Sequence, residues 1–159
     1  MNDNSSIVQI IQLMLAPGLM ISACGLLLLG MNNKYSLVVN RVRLLNEERR
    51  RFLIKNKGTD FGYEENIRLE SISQQITALL IRVKLVRNAV LAYTLAVAFF
   101  VLTSLFIGLQ VASAKIELTE FVITLFLLGM ISVLIGIIYA GYETKKGFDI
   151  IHLEVKIDE

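Results

Sequence analysis

Residues 121–142 read FVITLFLLGMISVLIGIIYAGY, an uninterrupted run without a Lys, Arg, Asp or Glu. As a helix such a stretch rises about 33 Å, enough to cross a hydrocarbon core of about 30 Å. Two further stretches have the same character, Ile7 to Met31 and Ala89 to Leu109. Of the 159 residues 55% are hydrophobic, above what a soluble domain carries. A soluble helical domain this short has no core able to hide three uncharged stretches of that length. The chain therefore reads as an all-α integral membrane protein with three transmembrane helices.

Basic residues give the expected direction of threading. The amino end, MNDNSSIVQ, has no basic residue before the first apolar run. This disfavours a cleavable signal peptide and favours a retained span. Ser6 and Gln9 have capping-box spacing, with Ser6 as N-cap. Twelve Lys and Arg residues lie between Asn32 and Asn88, whereas the connection from Gln110 to Glu120 holds only Lys115. The positive-inside rule then predicts a multi-pass protein of the cytoplasmic (inner) membrane, with the amino terminus outside and the carboxyl tail in the cytoplasm. Lys145 and Lys146, just after the third span, agree.

Between the first two spans the spacing predicts a cytoplasmic antiparallel helical hairpin, coiled-coil-like in pattern. Tyr35, Val38, Val42, Leu45, Arg49 and Phe52 step by three and four, as do Leu69, Ile72, Ile76, Leu79, Val83 and Val86. NKGTDFGY, residues 56–63, supplies turn chemistry between them. The expected divisions are 1–31, the amino terminus and first span; 32–88, the hairpin; 89–142, the second and third spans; and 143–159, a tail. In that tail Ile151, Leu153, Val155 and Ile157 alternate with polar residues, a period-two pattern that allows a strand over 150–158 as well as a short helix. Glu64 and Glu65 suit the first turn of a helix better than an acid–base pair.

The hairpin contains the most basic part of the chain, RVRLLNEERRRFLIKN at 41–56. Such a juxtamembrane segment sets topology and attracts anionic lipids, and Arg49, Arg50 and Arg51 are candidate headgroup contacts. Arg49 lies on the seam, where its stem packs and its head snorkels outward in preference to pairing with Glu70. Nucleic acid is not an expected partner: there is no zinc-finger or RNA-recognition signature, Phe52 is the one aromatic, and Glu47 and Glu48 interrupt the charge.

Helices associate in lipid through close packing of small residues. Gly129, Ser132, Gly136 and Ala140 form such a face on the third span, and Gly18, Ser22 and Gly25 one on the first. Both are candidate helix-packing sites. The spans carry no ionisable group mid-membrane, which argues against a proton relay or voltage sensor. Gln9 and Gln12 lie near the outer surface and are candidate pore-lining residues in an oligomer. Cys24 and His152 are the single residues of their types, so neither a disulfide within the chain nor a multi-histidine metal centre is available. With no nucleotide loop, nucleophile elbow or zinc-protease motif, the expectation is a non-enzymatic protein without a cofactor.

The run MLAPGLMISACGLLLLGMNNKYSLVVNRVRLLNEE, residues 14–48, resembles the opening of the domain-of-unknown-function 2721 family of bacterial membrane proteins. Ala16, Pro17, Ile21, Ser22, Cys24, Gly25, Asn33, Arg41 and Arg43 carry the resemblance. It implies a fold and a membrane address more than an activity, and makes Pro17, Asn33, Arg41 and Arg43 candidate functional residues. Three functions follow as expectations. The first is a self-associating homo-oligomer whose hairpin meets a cytoplasmic protein partner and whose spans contact membrane lipids. The second is a homo-oligomeric channel or pore. The third rests on the order of span, hairpin and two spans, which is similar to YidC/Oxa-type insertases. Those proteins use a hydrophilic intramembrane groove, often with a basic residue, and no span here supplies one.

Overall fold

A computed structural model describes the backbone of residues 3–55, 62–112 and 119–157, and the side chains of 11–54, 62–63, 65–111 and 119–147. Three helices make up the described chain: α1 (Asp3–Lys55), α2 (Tyr63–Ala112) and α3 (Thr119–Ile157). Each is long and apolar enough to cross a membrane. The protein is a multi-pass membrane protein, all-helical, with no strand among the described residues.

The structure settles one open alternative and moves one expected boundary. The alternating tail is not a strand; α3 continues through Ile157. The costly nucleus of that helix is already formed by the apolar run before it, whereas a strand needs a neighbour to satisfy its backbone. Likewise α1 starts at Asp3, one turn ahead of the expected cap at Ser6. The start of α2 is well defined. The Gly62 carbonyl accepts from the Asn66 N–H at 3.1 Å, and the Gly62 N–H donates to Glu65 Oε2 at 3.3 Å. Gly62 is thus the N-cap, with Glu65 reaching back to it as the third helical residue. Residues 56–61 of the expected turn at 56–63, and residues 113–118 of the connection from Gln110 to Glu120, lie outside the described residues. Gln110 Nε2 donates to Thr119 Oγ1 at 3.0 Å between the ends of α2 and α3.

The chain forms two compact units, Met1–Met31 with Asn88–Tyr139, and Asn32–Arg87 with Ala140–Glu159. In the first, Cys24, Ala96 and Phe100 form a buried cluster, with Met20, Ile21, Val97, Phe126 and Val133 against it. Phe100 and Phe126 meet with their rings tilted, centroids 5.5 Å apart at 59°. Gly129 lies against the Phe100 ring and Gly136 against that of Tyr93, where an added Cβ would come within 2.7 and 2.5 Å. Glycine lets α3 approach α2 this closely. Hydroxyls in this unit turn back to the carbonyl one turn earlier: Thr94 to Val90, Thr103 to Phe99, Ser132 to Leu128. That is the economical solution where no water is at hand.

In the second unit α1 and α2 pack through Val38, Leu45, Ile72, Ile76 and Leu79, flanked by Val42, Phe52 and Val83. These are the three-and-four seam positions of the sequence. Outside the seam, Arg68 pairs with Glu48 at 2.9 Å and Arg51 with Glu47 at 2.7 Å. Arg49 is exposed.

Candidate functional site

One charged side chain among the described residues is buried. Glu143, on α3 immediately after the apolar run 121–142, is 1% exposed. Its two oxygens are held from two other helices. Arg82 of α2 donates from Nη2 at 2.7 Å and from Nε at 3.2 Å to Oε1. Lys34 of α1 donates from Nζ to Oε2 at 3.0 Å and to Thr144 Oγ1 at 3.3 Å. The Thr144 hydroxyl itself donates to the Ala140 carbonyl at 3.0 Å. Each of the three helices contributes one charge, and all lie within the second unit.

Local structure explains why the arrangement fits. Lys34 lies one turn beyond Met31, and Glu143 stands on the helical row of Gly136 and Ala140. One turn further, Gly147 is also buried, and the Arg82 guanidinium lies across it; an added Cβ would stand 3.0 Å from Nη2 and 3.2 Å from Cζ. The sequence ETKKG, residues 143–147, thus places a carboxylate and the bare backbone that seats its cation on one face. The side chains of Lys34 and Arg82 are 46% and 22% exposed, so water reaches the cations but not the anion. Two positive charges on one negative leave the cluster with a net charge of +1. Both carboxylate oxygens are occupied, so the cluster is suited to holding three helices in one register rather than to taking up a proton. Among the described residues no group of three His, Cys, Asp or Glu side chains comes together to hold a metal.

A family model described as "Protein of unknown function (DUF2721)" matches residues 14–153, nearly the whole chain. The chain belongs to the DUF2721 family. No curated protein and no solved structure matches it.

In this DUF2721 protein the residues singled out from sequence are dispersed. Pro17 is buried within α1, while Asn33, Arg41 and Arg43 are exposed. Gly129, Ser132 and Gly136 are buried and Ala140 half-buried. Gly18, Ser22 and Gly25 are exposed instead, with nothing within 4 Å of a Cβ built on either glycine; the Ser22 hydroxyl donates to the Gly18 carbonyl. Gln12 is exposed, and the side chain of Gln9 is outside the described ones. Arg49, Arg50 and Arg51 are all exposed. The clasp was not anticipated. Its signal was present: the small-residue row of α3, continued by threes and fours past Ala140, reaches Glu143 and Gly147.

Proposed function

We propose that this DUF2721 protein is a non-enzymatic, self-associating membrane protein, with the hairpin formed by α1 and α2 as its cytoplasmic interaction surface. The observation that carries this is the contrast between two small-residue faces. Gly129 and Gly136 are filled by Phe100 and Tyr93, whereas Gly18 and Gly25 meet nothing. An open face of that kind on a membrane helix suits close approach by a second copy, since lipid offers no packing advantage there. The excess of basic residues at 32–88 supports a cytoplasmic placement of the hairpin.

The test is the mass of the full chain in lipid nanodiscs, by native mass spectrometry. A dimer or larger assembly is expected, with Gly18→Leu/Gly25→Leu reverting it to monomer at unchanged helix content. A monomer at every loading would overturn the reading. An insertase-like role is less well supported, because the half-buried cation Arg82 is already neutralised by Glu143. A pore lined by Gln9 and Gln12 requires the same oligomer, and ion flux through proteoliposomes separates it from plain self-association.

A further inference from the structure

The clasp of Lys34, Arg82 and Glu143 turns its anion inward and its cations outward. Glu143 is 1% exposed, and both of its oxygens are taken. The side chains of Lys34 and Arg82 keep 46% and 22% of their surface open. An incoming anion therefore meets only positive groups. The surplus charge of +1 sits where hydration is incomplete, a state that an anion relieves.

Both cationic heads carry donors beyond those that the carboxylate uses. The Lys34 ammonium has three protons, and its bonds go to Glu143 Oε2 and Thr144 Oγ1. The Arg82 guanidinium has five N–H groups, of which Glu143 Oε1 takes one from Nε and one from Nη2. This leaves the Nη1 side of the fork. The guanidinium also rests against the bare backbone of Gly147, so its plane is set before any ligand arrives. Donors fixed in advance lower the cost of binding.

The ligand class follows from the level of the cluster. Lys34 lies three residues beyond the apolar run 7–31, and Glu143 directly follows the run 121–142. Headgroups occupy about 5–8 Å beyond the hydrocarbon on each side, or roughly three to five residues of helix. A phosphate offers two oxygens at a spacing close to that of a carboxylate, and arginine binds it in the same forked manner. We propose that Lys34 and Arg82 bind the phosphate group of an anionic phospholipid, with Glu143 orienting both cations from the buried side. Arg49 and Arg50 are fifteen and sixteen residues beyond Lys34, about 22 and 24 Å of helix against a screening length of about 8 Å. Every residue of the site comes from one chain, so the proposal stands or falls apart from self-association.

The test counts lipids one at a time, so that no charged surface contributes. The full chain in neutral detergent is titrated with phosphatidylglycerol, phosphatidylcholine or inorganic phosphate, and adducts are counted by native mass spectrometry. One phosphatidylglycerol per chain is expected, held about tenfold or more tightly than phosphatidylcholine, whose choline cancels the phosphate charge. Lys34→Gln leaves the Arg82–Glu143 pair in place and should weaken that binding about tenfold or more, by loss of a charged hydrogen bond. Arg82→Met/Glu143→Leu removes one charge of each sign, so the cluster stays at +1. Its loss should be as large, because the geometry is gone while the charge is not. Arg49→Gln/Arg50→Gln removes two positive charges at a screened distance and should change binding less than about twofold. Helix content checks the fold of each variant, and Lys34→Gln decides alone if the Arg82/Glu143 variant loses it. Binding that follows net charge, weakest in the Arg49/Arg50 variant and unchanged in the Arg82/Glu143 variant, would overturn the site in favour of diffuse attraction. Equal retention of the two lipids would overturn it as well. Displacement of the lipid by millimolar inorganic phosphate would keep the phosphate chemistry and overturn the lipid as its source.

Discussion

The two units of this protein solve the same problem, holding long helices together, with opposite chemistry. In the unit of Met1–Met31 and Asn88–Tyr139 the helices meet where side chains are smallest, glycine against aromatic ring. In the other they meet where side chains are large and apolar, Ile72 and Leu79 against Val38 and Leu45, with ion pairs at the margin. The placement proposed above, lipid around the first unit and water around the second, accounts for the difference. In lipid a leucine gains nothing by leaving its neighbours, so association depends on close approach. In water a buried isoleucine stabilises by itself, about 1.5–3 kcal/mol, and backbone proximity matters less.

The largest effect is expected where α3 has no room to give. Gly136→Leu places a Cβ, and three carbons beyond it, in the space of the Tyr93 ring. The cost should exceed about 3 kcal/mol, the upper end for ordinary overpacking. Unfolding in mixed micelles, followed by helix content and by proteolysis of the 113–118 connection, measures it. Tolerance of leucine would mean that α2 and α3 are held by something other than this approach.

The charge clasp sharpens the comparison, being an electrostatic device beside an apolar seam. Arg82→Met leaves the Glu143 carboxylate, 1% exposed, with only half-exposed Lys34 as counterion. A loss of about 3 kcal/mol is expected, the lower end for breaking a buried pair, because Lys34 remains. Arg82→Met/Glu143→Leu should recover most of it, since removing a whole buried ion pair is often neutral. If the double variant stays as unstable as the single one, the cluster contributes more than mutual neutralisation.

These two sites also mark what was legible in the sequence. Three spans followed from uncharged length alone, because burying a backbone in lipid leaves few alternatives to a helix. The α1–α2 seam followed from period, because water forces apolar residues onto one face. Which small-residue face packs within the chain did not follow. Gly18, Ser22 and Gly25 are spaced as well as Gly129, Ser132 and Gly136, yet only the α3 set meets its neighbour. Lipid and protein are equally apolar to a helix, so spacing alone does not say which side faces which. Glu143 escaped notice because hydropathy ends the third span at Tyr142, one residue earlier, whereas the helical row continues through it. The tail stayed open between strand and helix for a related reason: a period of two is visible in sequence, but the helix already propagating into it is not.

Next in size is a cavity in the aqueous-type seam. Ile72 is fully buried between α1 and α2, and Ile72→Ala should cost about 2–3 kcal/mol, in the lower part of the range for such truncations. Denaturant unfolding monitored by hydrogen exchange of residues 63–87 reads this locally. A comparable truncation at an exposed position of the first span, Leu26→Ala at 72% exposure, should leave unfolding nearly unchanged. Equal losses at both would mean that Leu26 faces protein, not lipid, which would point to an assembly interface there.

The smallest effect is expected at the two glycine faces, compared by the mildest substitution. Gly25→Ala adds a methyl group into open space and relieves the backbone entropy cost of a mid-helix glycine, so the isolated chain should gain about 0.5–1 kcal/mol. Gly129→Ala adds the same methyl group 2.7 Å from a Phe100 ring carbon, and the gain in helix propensity is offset by the shift forced on that ring. The sign of the difference is therefore the observable: alanine stabilises at 25 and destabilises at 129 when unfolding is measured at high detergent dilution, where copies are separate. Repeating the pair at high protein loading in nanodiscs asks a further question of the same variants. If Gly25→Ala then becomes destabilising, its added methyl group is obstructing a second copy. The face left open within one chain is then the one that the assembly closes.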